Sequence, residues 1–348
     1  MKTILVTGCG GLIGRESVEF FIAKGFRVIG IDNNMREYFF GKDGSIIPSL
    51  INLAEYQNFE LHSVDVRRYE LLERIFSNNS SDIEAVIHTA AQPSHDWAAR
   101  EPFTDFSINA TATLNLLELT RKYCPKATFI FTSTNKVYGD NPNYLPLVEL
   151  DTRFELPQDH KYYKGLDESF SIDGTKHSLF GCSKLSADVY VQEYGKYFGM
   201  NTVVFRGGCL TGSKHKGAEL HGFLNYLVKC NNEGRTYNVF GYKGKQVRDN
   251  IHSSDLVAAF YEVYLNPKSG VVYNIGGGRY SNCSLIEAVD VIKDITTVDT
   301  KLNYVEENRS GDHIWWISDV SKFKQDYPNW SHKYDVKNIL KEIINANE

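Results

Sequence analysis

Three glycines near the amino terminus have a spacing that suits the binding of a phosphate group. Gly8, Gly11 and Gly14 lie in the segment TGCGGLIG, directly after the apolar run KTILV. Behind a strand, this spacing gives a tight turn, allows the backbone to approach a pyrophosphate closely, and directs the first N–H groups of a helix toward it. A glycine triplet alone is a weak signal, but its position between a strand and a helix predicts a dinucleotide site.

An acidic residue follows at the spacing that a dinucleotide site requires. Asp32 ends the second predicted strand, FRVIGID, and its carboxylate suits a ribose 2′-hydroxyl but repels a 2′-phosphate, so NAD is predicted rather than NADP. The alternative is a structural glycine turn with a solvent-facing aspartate. Asp65 follows the third strand, where an adenine could be contacted, although an aspartate there also serves as a helix cap. The predicted cofactor residues of this region are Gly8, Gly11, Leu12, Ile13, Gly14, Asp32, Asn33, Asp65 and Val66.

The elements around these residues alternate between strands and helices. Short β-branched runs such as EAVIHTA and ATFIFTST are separated by segments with helical periodicity such as RYELLERIFSN. This alternation predicts an α/β fold with a Rossmann-type doubly wound parallel sheet. The pattern becomes irregular in the last part of the chain. We therefore predict a mainly NAD-binding domain over 1–206 and a smaller, mixed α/β C-terminal substrate lobe over 207–348, interleaved with the last strands of the sheet.

The composition argues against several classes of binding partner. The 348 residues carry a formal net charge of -5 and no block of Lys or Arg, so neither a nucleic acid nor an anionic membrane is predicted as a partner. The six cysteines form no CxxC pair and have no histidines at metal-ligand spacing, which predicts reduced thiols and no metal site. No apolar stretch reaches the roughly 18 residues of a membrane span. A cytoplasmic protein is expected.

Several motifs occur together in a pattern that resembles one large enzyme family. They are the glycine turn, HTAAQ (His88 to Gln92), Asn109, and an aromatic residue, Phe180, four residues before Lys184. Together they resemble the extended short-chain dehydrogenase/reductases over nearly the whole chain. The resemblance implies that NAD is also contacted by Thr89, Ala90, Ala91, Gln92, Asn109 and Lys184.

Within that family, the segments STNKVYGD, GCSK and KQVRD look most like the CDP-paratose 2-epimerases. The sugar 4,6-dehydratases carry an Asp-Glu pair where this chain has Asn135 and Lys136, and UDP-galactose 4-epimerases carry small uncharged residues there. The resemblance implies a nucleotide-diphosphate sugar as substrate and a homodimer formed by paired helices. The alternatives are a 4-epimerase or dehydrogenase of another nucleotide sugar, or an NAD-binding remnant without turnover.

The same resemblance implies roles for individual side chains. Thr134 would bind the sugar hydroxyl that is oxidised, and Lys184 would hold the nicotinamide ribose and supply a positive field. Arg248 and Arg309 would clamp the diphosphate, although either arginine alone is more typical of a surface ion pair. Ser94 and His95 follow the fourth strand as candidate sugar contacts, or as an ordinary loop serine and a solvated histidine. The implied substrate contacts are Ser94, Thr134, Asn135, Arg248 and Arg309.

Phe180 occupies the position at which the family carries a catalytic tyrosine. The family's reaction needs a base that takes a hydroxyl proton while NAD takes hydride from the same carbon, and a phenyl ring cannot accept a proton. Three explanations are open: another base, a Tyr→Phe change that traps substrate, or a binding remnant. Lys136, which follows Thr134 closely, is the predicted substitute base and completes the predicted catalytic set of Thr134, Lys136, Phe180 and Lys184. Other candidates are Tyr138, Tyr163, His177 and Cys182, the last of which is two residues from Phe180 and points to another helix face.

Overall fold

The computed structural model describes residues 1–215, 217, 222–308 and 311–346. The chain forms two compact units, each assembled from several segments. The first unit comprises Met1–Thr134, Leu179–Arg206 and Leu256–Tyr273, and the second comprises Asn135–Ser178, Gly207–Asp255 and Asn274–Glu348. Compared with the predicted division at residue 206, residues 135–178 group with the second unit and residues 256–273 group with the first.

The strands fall into one large sheet and several small ones. In chain order they are β1 (Thr3–Thr7), β2 (Arg27–Ile31), β3 (Phe59–His62), β4 (Ile83–His88), β5 (Thr128–Thr134), β6 (Val148–Glu149), β7 (Phe154–Glu155), β8 (Thr202–Gly207), β9 (Cys209–Thr211), β10 (Thr236–Phe240), β11 (Val247–His252), β12 (Val271–Ile275), β13 (Asn282–Ser284), β14 (Lys301–Val305) and β15 (Trp315–Trp316).

The helices follow the strands in the alternation that the sequence predicts. They are α1 (Leu12–Ala23), α2 (Met35–Phe40), α3 (Ile47–Leu53), α4 (Tyr69–Asn78), α5 (His95–Arg100), α6 (Pro102–Phe106), α7 (Ala112–Tyr123), α8 (Leu179–Phe198), α9 (Phe223–Asn232), α10 (Ser253–Leu265), α11 (Leu285–Thr296), α12 (Ser321–Asp326) and α13 (Val336–Ala346). A π-helical turn, Ser107–Thr111, joins α6 to α7. None of the described helices is long and apolar enough to cross a membrane.

The large sheet has the strand order β12-β8-β5-β4-β1-β2-β3. β1 pairs in parallel with β2 and with β4, so the order of the sheet reverses between β1 and β4. Ligands of open α/β sheets bind at such a reversal, beyond the carboxyl ends of the strands. The predicted doubly wound sheet is confirmed, and the glycine turn after β1 lies at this reversal.

The central strands of the large sheet are mostly apolar and buried, so helices cover the sheet. All five residues of β1 are buried, as expected of a central strand in a parallel sheet. Side chains of the sheet such as Leu5 and Phe129 pack with Leu116 of α7 and Val191 of α8 in one core. Each such side chain contributes roughly 1.5–3 kcal/mol on burial. This core fixes α7 and α8 against the sheet, and α8 carries both Phe180 and Lys184.

The second unit is built from small sheets and three long helices. β11 pairs in parallel with β9 and β15 and antiparallel with β13, while β10 pairs in parallel with β14. Apolar faces of α9, α11 and α13 form its core around side chains such as Leu227, Ile292 and Leu340. The predicted mixed α/β lobe is confirmed as an architecture.

Candidate active site

The glycine turn has a shape that only glycine permits at two positions. Gly8 has φ +69°, and a Cβ there would lie 2.7 Å from the backbone nitrogen of Ala90. A Cβ on Gly14 would lie 2.0 Å from the carbonyl oxygen of Gly8. Gly11 is the N-cap of α1 and supplies no side-chain cap, so the N–H groups of the first turn remain for an anion. These residues fit a pyrophosphate.

Asp32 is held by backbone N–H groups at the end of β2. Its two carboxylate oxygens accept hydrogen bonds from the nitrogens of Gly10 and Asn34, each at 3.0 Å. Burial raises the pKa of this carboxyl, and the N–H groups oppose that rise. A carboxylate has about four acceptor positions, so acceptor capacity remains for the hydroxyls of a ribose.

The other predicted adenine-side residues lie close to one another. The exposed Asn33 donates from Nδ2 to Oδ2 of Asp65 at 3.0 Å, and Asp65 also pairs with Arg67 at 2.6 Å. Val66 packs into the core of the first unit, and its side chain is 7% exposed. The Asp65 carboxylate therefore already has charged and neutral donors within the protein.

The segment after β4 contacts the turn after β1. Thr89 donates from its hydroxyl to the carbonyl oxygen of Thr7 at 2.7 Å, and the nitrogen of Ala90 donates to Oγ1 of Thr7 at 3.3 Å. Thr89, Ala90 and Ala91 are half-buried. The structure thus brings two separately predicted cofactor segments together at the reversal of the sheet.

His88, the last residue of β4, is a buried neutral histidine. Its Nδ1 lies 2.7 Å from the hydroxyl of Thr7, and its Nε2 lies 3.0 Å from the hydroxyl of Thr113. Thr113 gives its own proton to the carbonyl oxygen of Asn109, so Nε2 of His88 must be the donor and Nδ1 the acceptor. Burial, with a smaller effect from Lys184, lowers its pKa to about 3.

Asn109 lies in the π-helical turn and connects the end of β4 to α8. Its Oδ1 accepts from the nitrogen of Gln92 at 3.0 Å, and its Nδ2 donates to the carbonyl oxygen of Gln92 and to Asp105, each at 3.0 Å. The same Nδ2 lies 3.1 Å from the hydroxyl of Ser183, which donates to the carbonyl oxygen of Phe180 at 3.1 Å. The amide of Asn109 therefore holds protein groups around the site.

Ser94 has a helix-capping role in the structure. Its hydroxyl accepts from the nitrogen of Trp97 at 3.3 Å and caps α5, and its own nitrogen donates to Oε1 of Gln92 at 2.5 Å. Gln92 is fully buried and also donates to Asp105 at 2.8 Å. The sequence analysis did not identify Asp105, although its spacing of four residues before Asn109 in a helical segment was a usable signal.

Phe180 and Lys184 lie one turn apart near the start of α8. The Phe180 side chain is 7% exposed, and its ring packs edge-to-face on the ring of His95 with centroids 5.1 Å apart. Nζ of Lys184 donates to the carbonyl oxygen of Thr132 at 2.6 Å and lies 4.1 Å from the centroid of the Phe131 ring. Because Lys184 is buried, its pKa is lowered to about 7. The half-buried Thr134 ends the same strand, β5.

A buried ion pair fixes α8 to β5 and β8. Asp188 accepts from Nε of Arg206 at 3.0 Å, from Nη2 of Arg206 at 2.9 Å and from the hydroxyl of Ser133 at 2.6 Å. Asp188 is fully buried, and Arg206 is 4% exposed. Ser133 precedes Thr134, so this ion pair positions the end of β5 relative to Lys184. This ion pair was not predicted, although the charged residue inside the otherwise apolar strand NTVVFR is a usable signal for it.

In the second unit, Lys136 and Arg248 are bonded to neighbouring residues of one loop. Nζ of Lys136 donates to the carbonyl oxygen of Gly311 at 2.9 Å, and Nη2 of Arg248 donates to Oδ1 of Asp312 at 2.5 Å. The Arg248 side chain is 11% exposed, and Asn135 is buried. The predicted contact Arg309 lies outside the described residues.

The remaining candidates for a base have structural partners. The fully buried Tyr138 donates to Oδ1 of Asn274 at 2.8 Å, and Nε2 of His177 lies 2.9 Å from the carbonyl oxygen of Val137. The Tyr163 ring lies against the guanidinium of Arg279 at 4.1 Å. All six cysteines are free, and Cys182 is exposed.

The described residues contain no group of three or more His, Cys, Asp or Glu side chains arranged to hold a metal ion.

Comparisons with known proteins agree with this geometry. Residues 4–276 match the model of the family described as "NAD dependent epimerase/dehydratase family". The chain is 30% identical to CDP-paratose 2-epimerase of Salmonella typhi, over 99% of this chain and 98% of that protein. It is 29% identical to a putative UDP-glucose 4-epimerase of Methanocaldococcus jannaschii, over 98% and 97% of the two chains.

A solved structure supports the same assignment. UDP-glucose 4-epimerase of Thermotoga maritima, crystallised with UDP-glucose, is 27% identical and superposes with a TM-score of 0.80 over 99% of this chain and 98% of that one. The glycine turn, the Asp32 carboxylate and the sheet reversal also fit NAD, which is the cofactor of the matched family. The chain belongs to the NAD-dependent epimerase/dehydratase family and is an NAD-dependent enzyme.

Proposed function

We propose that the protein epimerises a nucleotide-diphosphate sugar through a transient keto intermediate, with a reaction most like that of CDP-paratose 2-epimerase. The burial of Lys184 carries the proposal. A lysine with 3% exposure and a pKa of about 7 is costly to fold, and groups of this kind concentrate at functional sites. It donates to the carbonyl oxygen of Thr132 in β5, the strand that Thr134 ends.

The first unit supplies the residues for cofactor binding. In this proposal the first turn of α1 binds the pyrophosphate, Asp32 binds the adenine-side ribose, and Lys184 binds the nicotinamide-side ribose. When bound, NAD supplies the hydride acceptor and donor that the reaction needs. Thr134 orients the sugar hydroxyl, and the ammonium of Lys184 favours loss of its proton.

The second unit supplies groups for the diphosphate. Arg248 is suited to a bidentate contact with phosphate oxygens, and Asp312 holds its guanidinium. Lys136 fixes the adjacent Gly311, which keeps Asp312 in place. Arg309 completes the proposed clamp. A base role for Lys136 stays a prediction.

One observation favours a second candidate function. Phe180 is buried and carries no hydroxyl, as expected of a protein that retains NAD but has lost turnover. A 4-epimerase of a different nucleotide sugar is a further alternative, because the relatives reported above include 4-epimerases as well as CDP-paratose 2-epimerase. A dehydrogenase of such a sugar is the other alternative.

A screen of released and supplied nucleotides tests the proposal. Denatured protein is expected to release about one NAD per chain, because the cofactor is regenerated in every cycle. The native protein is then given CDP-paratose, UDP-glucose and a GDP-hexose, and products are identified by NMR. We expect the C2 epimer of CDP-paratose without net formation of NADH.

Arg248→Gln is the matched variant for that screen. It should retain NAD and weaken the binding of the nucleotide sugar by about 10- to 100-fold, because a charge-assisted hydrogen bond contributes about 1.5–3 kcal/mol. Failure to bind NAD, released or added, contradicts the proposal. Net reduction of NAD with accumulation of a keto sugar identifies a dehydrogenase instead.

We also propose that the protein is a homodimer. Apolar side chains on α6 and α8 are exposed, among them Phe103 at 93% and Tyr197 at 82%. Light scattering should give twice the chain mass, and Val189→Glu combined with Tyr197→Glu should give the single-chain mass. Ile51→Glu, at an exposed apolar position on α3 whose exposure lies between those of Val189 and Tyr197, is the control that should leave the dimer intact. A single-chain mass for the unmodified protein contradicts the proposal.

A further inference from the structure

We propose that His95 performs the proton transfer for which Phe180 has no group. This inference rests on the proposed function, since it names the acid/base of that reaction. His95 is the first residue of α5, and its ring meets the Phe180 ring edge-to-face, with centroids 5.1 Å apart and planes inclined by 69°. Phe180 is buried and His95 is half-buried, so the imidazole is the more accessible ring of the pair.

The position of the imidazole suits this role. A tyrosine hydroxyl would extend from the ring edge by one C–O bond, and an imidazole in van der Waals contact with that ring can place a nitrogen in the same region. A general base must come within about 2.6–3.2 Å of the proton that it takes, directly or through a water molecule. The edge-to-face contact holds the His95 ring beside the ring that carries the hydroxyl when tyrosine stands at position 180.

One buried hydrogen-bond network fixes the backbone near His95 and near Phe180. Ser94 caps α5 and is bonded to Gln92, which fixes the residue that precedes His95. Gln92 is bonded to Asn109, and Asn109 reaches the carbonyl oxygen of Phe180 through the hydroxyl of Ser183. The backbone segments that carry the two rings are therefore held by bonded neighbours on each side, which contributes to the preorganisation that proton transfer requires.

The other candidate bases are less suitable. The ammonium of Lys184 is directed to the carbonyl oxygen of Thr132, and Lys136 is bonded to Gly311. Imidazole has an ordinary pKa of about 6.5, which makes it an effective base near neutral pH. The titratable groups on α5, on the adjacent α6, and on the first two turns of the adjacent α8 are Asp96, Arg100, Asp105, Cys182 and Lys184.

The reaction balances with His95 in this role. The hydroxyl proton of the sugar passes to a nitrogen of the neutral imidazole, while the hydrogen on the same carbon leaves with its electron pair to oxidised NAD, and the C–O single bond becomes a ketone. In the second half the same electron pair and hydrogen return to the opposite face of the carbon, and the imidazolium returns its proton to the oxygen. No further oxidant or reductant is consumed.

A four-protein comparison tests the inference: the unmodified protein, His95→Gln, Phe180→Tyr, and the double variant. Turnover of CDP-paratose is measured by NMR. His95→Gln should lower kcat by about 10²- to 10⁴-fold in the unmodified background, which is the usual contribution of general acid–base catalysis. In the F180Y background the same change should lower kcat by less than about tenfold, because tyrosine supplies the proton transfer.

Two further measurements distinguish a catalytic role of His95 from a purely structural one. The His95 ring resonance, assigned by its absence in H95Q, should have a different chemical shift in F180Y than in the unmodified protein. NAD retained per chain should be the same in all four proteins.

Each remaining outcome is decisive. Unchanged turnover in H95Q, or an equal loss in both backgrounds, overturns the role of His95. Turnover in F180Y with none in the unmodified protein also overturns it and leaves the proposed function standing. Absence of turnover in all four proteins, with any tested nucleotide sugar, overturns the proposed function and this inference with it.

Discussion

Replacing Asp188 with alanine is expected to lower the free energy of unfolding by about 3–5 kcal/mol, because it leaves a buried guanidinium without its counter-charge. Asp188 is fully buried, and it accepts two hydrogen bonds from Arg206, one from Ser133 and one from Gln192. Equilibrium unfolding in urea measures the loss. The free energy of unfolding of Asp188→Asn should lie between those of the unmodified protein and Asp188→Ala, since an amide keeps part of the hydrogen bonding and removes the charge.

Glu193→Ala is the matched control for Asp188. Glu193 lies on the same helix and pairs with Lys196 at 3.0 Å, but both side chains are about half exposed, so solvent screens the pair. Its removal should leave the urea midpoint nearly unchanged. Equal effects of the two substitutions would show that the Asp188–Arg206 pair contributes no more than a surface pair.

Replacing Lys184 with methionine is expected to abolish measurable epimerisation and to make the protein more stable at neutral pH. The loss of turnover should be at least about 10²-fold, because a positive charge beside a developing alkoxide is removed. The gain in stability follows from burial, which lowers the pKa of Lys184 from 10.5 to about 7, so that folding disfavours its protonated form. Methionine fills the space without a charge.

The sign of the pH dependence follows from the same shift. As the pH rises from about 7 toward 10.5, the unfolded chain keeps the Lys184 proton while the folded chain loses it, so the stability of the unmodified protein rises with pH in this window relative to the variant. Urea unfolding of both proteins across that window measures the difference. Lys196→Met, on an exposed face of α8, is the control, and its stability should change with pH as that of the unmodified protein does. If the free energies of unfolding of the unmodified protein and K184M differ by the same amount at every pH in the window, the pKa of Lys184 is not lowered.

The features from which the cofactor half of the site is predicted are local in the sequence. The glycine turn, Asp32 and the strand–helix alternation are each encoded within a few residues, and the structure has them as predicted. The side-by-side placement of Phe180 and Lys184 also follows from helical spacing alone. These features need no knowledge of which distant segments meet.

The polar network around the site could not be predicted in the same way. Lys136 meets Gly311 across 175 residues, and the ring of His95 meets Phe180, which lies on a helix far along the chain. Such contacts depend on tertiary packing, for which a single sequence gives no periodic signal. The sequence prediction therefore identified reactive side chains but not their partners, and it had no means to distinguish His95 from a solvated loop histidine.

The hydrogen bonds through His88 form a one-way chain. It starts at the Ala90 nitrogen, runs through Thr7, His88 and Thr113, and ends at the Asn109 carbonyl oxygen. A backbone N–H can only give and a carbonyl can only receive, so neither end can exchange roles and the whole chain has a fixed polarity. A histidine in such a chain cannot shuttle protons, because passing one on would require every link to reverse. His88 thus acts as a rigid spacer between the end of β1 and helix α7, and it takes no part in proton transfer despite its position in the cofactor motif.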